Sequence, residues 1–355
     1  MKQFGAKIDK EHLAIFEQSP NWKDGKFQNL EETTMNFTVW DVPEMIYTQL
    51  FNNDGIAPKQ ALPIQAFDKE EFLKNDVDFK CIWFGHSVVL MRLNGKTILI
   101  DPMLGQDAAP ISPTKNKRFS KNTLDLIDAF PPIDLVIISH DHYDHLDLNS
   151  IDKLKEKTAA FNVALGVKRH LVKWGIDEKK ITEFDWWNEK LFDGIQITFT
   201  PSRHFAGRGL TDRAKSFWGG WAFKTANHKI WFSGDGGYGK HFKTIGEKLG
   251  PFDLAFMECG QYNEKWDLIH MFPEQTVQAA IDAGAKKAFP IHWSGFSLAP
   301  HDWYEPADRF VAAAEEAHFD FTLPQLGEII TLTHSIEKKW WEQYRIEKKE
   351  RKFCR

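Results

Sequence analysis

The stretch Ile137-Ile-Ser-His-Asp-His-Tyr-Asp-His-Leu146 decides the fold. It begins with apolar residues that are typical of a buried strand, so its polar half lies on the loop at the strand's carboxyl end. This loop offers four metal-ligating side chains, which are His140, His142, Asp144 and His145. Imidazole nitrogens with a few carboxylate oxygens are the ligands that zinc and similar divalent ions favour. The stretch therefore predicts a metal site with enough ligands for two neighbouring ions.

Three later segments each place one ligand-type residue directly after a predicted strand. They are Thr200-Pro-Ser-Arg-His204, Phe232-Ser-Gly-Asp-Gly236 and Phe289-Pro-Ile-His-Trp293. A lone His or Asp in such a place is usually a turn or capping residue. In series after the His-rich loop they indicate more, because strand ends on one rim of a sandwich converge. We therefore predict that His204, Asp235 and His292 join the metal site.

Short apolar runs bounded by Gly, Asp and Pro predict the strands, and longer amphipathic stretches predict the helices. The predicted strands are Cys81–Leu93, Thr97–Ile100, Leu135–Ser139, Asn162–Leu165, Ile195–Thr200, Trp218–Lys224, Lys229–Phe232, Leu254–Glu258, Ala288–Ile291 and Glu328–Leu332. The predicted helices are Asn122–Ala129, Leu148–Lys157, Lys240–Leu249, Pro273–Ala283 and Glu305–Ala317. Strands come first in hairpins and later alternate with helices. This order predicts an α/β (α+β) fold, a four-layer αββα sandwich with two sheets face to face.

Composition favours one catalytic domain with extended ends. Residues 1–78 are polar, irregular and punctuated by proline, which predicts an extension wrapped on the core. The catalytic domain is then 79–334, and 335–355 form a basic C-terminal tail. Only three cysteines occur, far apart and odd in number, which argues against a disulfide framework and fits a reducing compartment.

Charge and hydropathy exclude several classes of partner. A net charge of −5 gives no electrostatic footprint for nucleic acid, so we expect no nucleic-acid partner. No run is apolar enough to span a bilayer and the first residues lack the apolar core of a secretory signal, which predicts a cytoplasmic protein. The tail mixes Trp340, Trp341 and Tyr344 with basic residues. This pattern fits either peripheral contact with an anionic membrane or a solvated terminus, and the sequence indicates no oligomeric state.

The HxHxDH loop with a later His, Asp and His resembles the metallo-β-lactamase superfamily. Flanking motifs over residues 80–310 are similar, more narrowly, to the N-acylphosphatidylethanolamine-hydrolysing phospholipase D family and its bacterial relatives. These motifs include Trp83-Phe-Gly-His-Ser87, Asp101-Pro-Met103, Asp185-Trp-Trp187, Gly234-Asp-Gly-Gly-Tyr238, His270 with Pro273-Glu274, and Ile291-His-Trp293. The segment Glu258-Cys-Gly-Gln-Tyr262 and the loop Phe205 to Ser216 depart from the mammalian members. Both regions are expected to shape the substrate cleft.

The resemblance implies a ligand assignment and a chemistry. One ion would be bound by His140, His142 and His204, the other by Asp144, His145 and His292, with Asp235 bridging them. Two divalent ions, with zinc as the expected metal, lower the pKa of a shared water toward about 7 and so produce a metal-bound hydroxide as the nucleophile. Asp144 and Asp235 are then catalytic as well as ligating. His270 either assists a phosphoryl oxygen or caps the helix that follows it.

The expected reaction is hydrolysis of a phosphodiester, of phospholipase D type, in an N-acylphosphatidylethanolamine-like lipid or a related small molecule. The alternative is a lactonase or amidase that uses the same hydroxide on a carbonyl carbon. No serine has glycine at both −2 and +2, so a nucleophile elbow is absent. A diiron redox relative would carry Glu where this chain has His142. That residue disfavours a redox module.

Three neighbouring residues have open or secondary roles. His86 either orients a ligand carboxylate, as metal sites require, or is a packed residue at a strand end. Asp141 and Tyr143 alternate with the ligands of an extended loop, so we expect both side chains to point away from the metals.

Overall fold

The computed structural model describes residues 2–36, 40, 43, 55–74, 77–109, 116–209, 211–333 and 339–345. The strands in chain order are β1 (Trp22–Lys23), β2 (Lys26–Phe27), β3 (Phe79–Trp83), β4 (Val89–Leu93), β5 (Lys96–Ile100), β6 (Ile133–Ile138), β7 (Thr158–Ala164), β8 (Ile181–Phe184), β9 (Glu189–Phe192), β10 (Ile195–Thr200), β11 (Gly220–Lys224), β12 (Lys229–Phe232), β13 (Leu254–Glu258), β14 (Ala288–Ile291) and β15 (Ile329–Ile330). The α-helices are α1 (Lys10–Phe16), α2 (Lys69–Leu73), α3 (Leu126–Ala129), α4 (Leu148–Leu154), α5 (Lys168–Lys173), α6 (His241–Leu249), α7 (Pro273–Asp282) and α8 (Glu305–Glu316). Short 3-10 helices occupy Lys2–Phe4, Thr123–Asp125, Glu178–Lys180 and Trp340–Tyr344.

Two large sheets form the framework of the described residues. The first has the strand order β15-β3-β4-β5-β6-β7-β8, and the second has the order β14-β13-β12-β11-β10-β9. Each sheet is antiparallel in one half and parallel in the other, from β5 to β8 and from β12 to β14. Parallel neighbours need crossover connections, and α4, α5, α6 and α7 lie on them.

The two sheets pack face to face through aromatic side chains. Trp83 of β3 meets Phe289 of β14 with ring centroids 5.7 Å apart, and Phe184 of β8 meets Trp221 of β11 at 5.0 Å. Helix α5 contacts β8, while α7 contacts β13 and β14, so helices cover the sheets from outside. The αββα sandwich predicted from the order of elements is confirmed.

Some element boundaries differ from the sequence prediction. The predicted strand Cys81–Leu93 is two strands, because the chain reverses at Gly85 and His86, where φ is +85° and +55°. Strands β8 and β9 and helix α5 were not predicted. Strand β9 alternates exposed and half-exposed residues and has no buried face, so its sequence carries little apolar signal.

The N-terminal segment lies against the core. Phe16 and Phe27 are buried there. The indole Nε1 of Trp174 donates to the carbonyl of Lys2 at 2.9 Å, and the amide of Ala6 donates to His170 Nδ1 at 3.0 Å. These contacts anchor the first residues close to the helix that follows β7.

The C-terminal residues that the structure describes also belong to the core. Trp340 and Trp341 are 6% and 1% exposed and pack on Trp293 with ring centroids 5.7 and 5.6 Å apart. This differs from the expectation of a membrane-facing or solvated tail, since neither ring is available to a lipid surface. Residues 346–355, the other part of the predicted tail, lie outside the described residues. In the part of the chain that the structure describes, no helix is long and apolar enough to cross a membrane.

Candidate metal centre

The seven predicted ligands follow the carboxyl ends of four strands and meet on one rim of the sandwich. The His-rich loop follows β6, and His204, Asp235 and His292 come after β10, β12 and β14. Donor atoms of all seven fall into overlapping groups, within each of which every atom lies within 4.8 Å of the others. The structure therefore brings together every residue that the sequence singled out as a ligand.

Two groups of ligands lie side by side. In the first, His142 Nδ1 is 2.9 Å from His140 Nε2 and 3.3 Å from His204 Nε2. In the second, Asp144 Oδ2 is 3.6 Å from His145 Nε2 and 3.4 Å from His292 Nε2.

Asp235 lies between these groups. Its Oδ2 is 3.0 Å from His145 Nε2, 2.9 Å from His292 Nε2 and 4.0 Å from His204 Nε2. The loop before it reverses at Gly234, where φ is +65° and a Cβ atom would lie 2.3 Å from the carbonyl oxygen of Gly219. Only glycine fits this close approach, which sets Asp235 between two ligand groups.

Hydrogen bonds on the outer side of the rings fix which nitrogen faces the centre. Asp101 Oδ2 accepts from His145 Nδ1 at 2.7 Å and from Ser139 Oγ at 2.6 Å. Because the Ser139 hydroxyl donates to Asp101, it must accept from His140 Nδ1, at 2.9 Å. The carbonyl of Ile269, which can only accept, takes the Nδ1 proton of His204 at 3.0 Å.

The inner nitrogens of these rings are therefore free to bind cations. With its proton on Nδ1, a neutral imidazole presents the lone pair of Nε2. His140, His145 and His204 thus turn Nε2 toward the centre, where Asp144 and Asp235 supply carboxylate oxygens. Nitrogen-rich donors with two carboxylates are the chemistry of zinc and similar transition metals. The residues present thus fit divalent cations.

Burial and charge prepare these side chains for ligation. Burial lowers the pKa of His140 and His204 well below the usual value, and it lowers the pKa of His142 to about 4, so these rings are neutral at pH 7. Burial alone would raise the pKa of Asp144 and Asp235, but the neighbouring imidazoles hold both pKa values well below the usual range.

The pKa values of the other two rings, His145 and His292, are raised instead. Burial opposes the charged form, yet Asp235 and Asp144 outweigh it and raise the pKa of His145 to about 10. The same carboxylates raise the pKa of His292 well above its usual value. This half of the site therefore requires positive charge, which either protons or bound cations supply.

The comparisons with known proteins agree with this geometry. A family model described as the beta-lactamase superfamily domain matches residues 96–293, which include all seven predicted ligands. The chain belongs to the metallo-β-lactamase superfamily. It is 37% identical over 333 residues to an uncharacterized protein of Mycobacterium tuberculosis, covering 92% of this chain and 89% of that one.

One further relative bears on the activity, and one solved structure bears on the fold. N-acyl-phosphatidylethanolamine-hydrolyzing phospholipase D 1 of Caenorhabditis elegans is 33% identical over 285 residues, covering 76% of this chain and 80% of that protein. A metallo hydrolase of the archaeon Ignicoccus hospitalis shares the fold with a TM-score of 0.55 at 20% identity, covering 71% of this chain and 97% of that one. This metallo-β-lactamase superfamily member is a metal-dependent hydrolase.

His86 contacts a ligand of this metallo-β-lactamase site directly. Its Nε2 lies 2.9 Å from Asp144 Oδ2, which matches the first of the two roles considered for it. His86 and His292 both have left-handed backbones, with φ of +55° and +69°. They share a two-residue bridge in which His86 N donates to Trp293 O at 2.8 Å and His292 N donates to His86 O at 2.9 Å. Two strained residues in mutual contact typically mark a functional site.

The side chains between the ligands point behind the loop, as expected. The buried Asp141 carboxylate accepts from Gly207 N at 2.7 Å and from Ser216 Oγ, and lies 3.1 Å from His170 Nε2. The hydroxyl of Tyr143 donates to the carbonyl of Arg208 at 2.7 Å. Both residues therefore hold the loop from outside the metal site.

Arg208 joins the ligand loop to the N-terminal segment. Its Nη1 donates to the carbonyls of Asp141 and Leu146, each at 2.7 Å, and its Nη2 donates to Gln3 O at 2.8 Å. The guanidinium is buried and lies over the ring of Tyr143, 4.0 Å from its centroid. A planar group with five donors suits this task, since it satisfies several carbonyls at once.

His270 is turned toward the ligands. Its ring lies 5.1 Å from that of His204, and its side chain is 14% exposed. The amide of Phe272 at the start of α7 donates to the Gln275 side chain at 3.0 Å. The N-cap of α7 is Phe272, and His270 Nδ1 lies 3.1 Å from Glu258 Oε1, so His270 does not cap this helix.

Sequence reasoning did not identify the supporting residues Asp101, Glu258 and Arg208. A signal existed for two of them, because Asp101 and Glu258 are charged residues at the carboxyl ends of the apolar strands β5 and β13. Both are fully buried.

Proposed function

We propose that the protein is a binuclear zinc-dependent phosphodiesterase of phospholipase D type that acts on N-acylphosphatidylethanolamine-like lipids. The observation that carries the proposal is the similarity to the Caenorhabditis elegans phospholipase D, which extends over three quarters of this chain. The clustering of the seven ligands supports it as well.

In this proposal one ion would be held by His140, His142 and His204, and the other by Asp144, His145 and His292, with Asp235 available to both. The position of Asp235 Oδ2, within 3.0 Å of His145 and His292 and 4.0 Å from His204, supports the bridging role. Two bound zinc ions would activate water at neutral pH and polarise the phosphoryl oxygen.

The serine hydroxyls near the site would not act as nucleophiles in the proposed reaction, and His270 would orient the substrate. Ser139 Oγ donates to Asp101, Ser202 Oγ donates to Asp235 O at 2.7 Å, and Ser233 Oγ donates to Gly234 O at 2.7 Å. None of these three hydroxyls donates to an imidazole nitrogen, which is the contact that activates a serine nucleophile. The ring of His270 is partly exposed and lies beside that of His204, which supports a role for it in contacting a phosphoryl oxygen of the substrate.

We also propose peripheral membrane contact through the C-terminal tail, now limited to fewer residues than the sequence indicated. The buried Trp340 and Trp341 are excluded from it, so the contact would rest on residues 346–355. Removing those ten residues should lower activity on anionic vesicles but spare a small water-soluble diester. Equal activity on vesicles with and without them would contradict this part.

The substrate is tested with purified zinc-loaded protein. We expect hydrolysis of bis-p-nitrophenyl phosphate and of N-acylphosphatidylethanolamine in vesicles, with release of a phosphorylated product. A panel of lactones and amides should be inert. The opposite result, lactone or amide hydrolysis with no phosphodiester cleaved, would overturn the proposal and identify the same site as a lactonase or amidase.

A further inference from the structure

Glu258 is a fully buried carboxylate next to the metal centre that neither the ligand set nor the proposed reaction uses. It ends strand β13 and has 0% exposure. Its Oε2 accepts from the amide of Met271 at 3.0 Å. Its Oε1 lies 3.1 Å from His270 Nδ1 and 3.4 Å from His292 Nδ1.

Burying a carboxylate is costly unless cations or strong donors compensate it. Within the described residues, the ionisable partners of Glu258 are these two imidazoles. A carboxylate that contributed only to stability would be replaced by an apolar side chain at little cost, since strand β13 is buried along its whole length. Its presence therefore indicates a task at the site.

The two imidazoles have different tasks. His292 turns Nε2 toward Asp235 and Asp144, where it serves as a ligand in the proposed site. His270 is partly exposed, and one of its ring nitrogens lies within 4.8 Å of donor atoms of His204 and Asp235. The two rings are stacked, with centroids 5.2 Å apart and planes 14° from parallel. One carboxylate oxygen thus faces both stacked rings.

We propose that Glu258 is a positioning residue for two imidazoles at once. By accepting the Nδ1 proton of His270 it fixes that ring with Nε2 facing the substrate cleft. By facing Nδ1 of His292 it favours the tautomer whose Nε2 lone pair binds metal. Substrate orientation and the affinity of one metal ion are therefore coupled through a single side chain. The substrate half of this inference rests on the proposed function, whereas the metal half does not.

The test compares Glu258→Gln with the wild type. The amide keeps the shape and the acceptor for Met271 but removes the charge that orders the two rings. Glu183→Gln is the matched control, because Glu183 accepts hydrogen bonds from the backbone amides of Gly166 and Lys168, away from the predicted ligands. Glu258→Asp tests rescue, since it restores the charge one methylene further away.

The first readout needs no substrate. Cobalt(II) is titrated into the metal-free proteins and followed by its visible spectrum. We expect Glu258→Gln to lose about 10–100-fold in affinity for one of two cobalt ions, with a changed spectrum for that ion. The other ion, the control variant and the circular dichroism spectrum should be unaffected, and Glu258→Asp should recover part of the loss. Wild-type affinity and spectrum for both ions would overturn the metal half.

The second readout uses the diester that the protein cleaves. We expect kcat of Glu258→Gln to fall about 10–100-fold with KM within about threefold of wild type. His270→Gln, which leaves the carboxylate and His292 in place, should lower kcat and leave both cobalt affinities unchanged. Unchanged kcat in both variants would overturn the substrate half. If no diester is cleaved, the proposed function fails, while the cobalt titration still decides the role of Glu258. If Glu258→Gln does not fold, Glu258→Asp replaces it, and wild-type cobalt affinity and spectrum in that variant would overturn the metal half.

Discussion

Replacing Asp101 by Asn tests whether the metal site depends on its outer hydrogen bonds. Asp101 accepts three donors: Ser139 N at 2.7 Å, Ser139 Oγ at 2.6 Å and His145 Nδ1 at 2.7 Å. An Asn side chain has only one accepting oxygen, so its NH₂ group must face a donor. That donor is either Ser139 N, which bonds to Oδ1 of Asp101, or the pair of Ser139 Oγ and His145 Nδ1, which bonds to Oδ2. The backbone adds no strain, because φ is +42° and Asn tolerates this region as well as Asp does.

The size of the effect follows from these contacts. Leaving a buried donor unsatisfied costs about 1–3 kcal/mol, and the lost charge-assisted bonds add to it. Burial raises the pKa of Asp101, so removing its charge returns part of this cost. We therefore expect the free energy of unfolding to fall by about 2–3 kcal/mol. Because Asp101 orients His145 directly and His140 through Ser139, metal affinity should fall about 10–100-fold.

The assay separates the two effects. Urea unfolding of the metal-free protein gives the stability change, and titration with zinc or cobalt gives the affinity change. Asp128→Asn is the control, since that exposed carboxylate pairs with Lys153 at the surface and its replacement should change neither quantity. An Asp101→Asn protein with the wild-type unfolding midpoint and wild-type metal affinity would refute the reasoning.

Three further predictions concern other parts of the molecule. Asp235→Ala should lose metal from both groups and all hydrolysis, as measured by elemental analysis and diester turnover; full activity would rule out a bridging carboxylate. Arg208→Lys should lower the thermal midpoint and the metal affinity, because a lysine carries its donors on one nitrogen and cannot span the carbonyls that Nη1 and Nη2 of the planar guanidinium reach. Arg213→Lys is the control, and equal effects of the two substitutions would contradict this role of Arg208. Burial lowers the pKa of His241 from 6.5 to about 3, so the unfolded chain binds the extra proton below pH 6.5 and stability falls with acidification. His241→Phe should therefore lose less stability between pH 7.5 and pH 5 in urea unfolding, and an unchanged difference would contradict this.

The metal ligands could be predicted from the sequence because their signal is local. Each one directly follows an apolar run, and strand ends in a sandwich meet on one rim whatever the details of pairing. The four ligands of the His-rich loop are also close in the chain. This logic needs only the carboxyl ends of β6, β10, β12 and β14, which the hydrophobic pattern locates.

The contacts of the supporting residues could not be predicted, because their partners are distant in sequence. Asp101 meets His145 across 44 residues and Arg208 meets Gln3 across 205. No periodicity within a segment encodes such contacts. In the C-terminal tail, the basic residues near Trp340 led us to expect an exposed ring. The structure instead buries Trp340, which stacks on Trp293. Tertiary packing overrode the local charge pattern there.

The burial of Trp340 and Trp341 beside Trp293 has a consequence for how the enzyme is made. Trp293 follows the candidate ligand His292 in the chain, whereas its packing partners Trp340 and Trp341 come more than forty residues later. On the ribosome, Trp293 therefore lacks these partners until residues 340 and 341 have emerged. We expect the segment that carries His292 to reach its final packing only then, and a nascent chain that ends before Trp340 should be a target for proteolytic quality control.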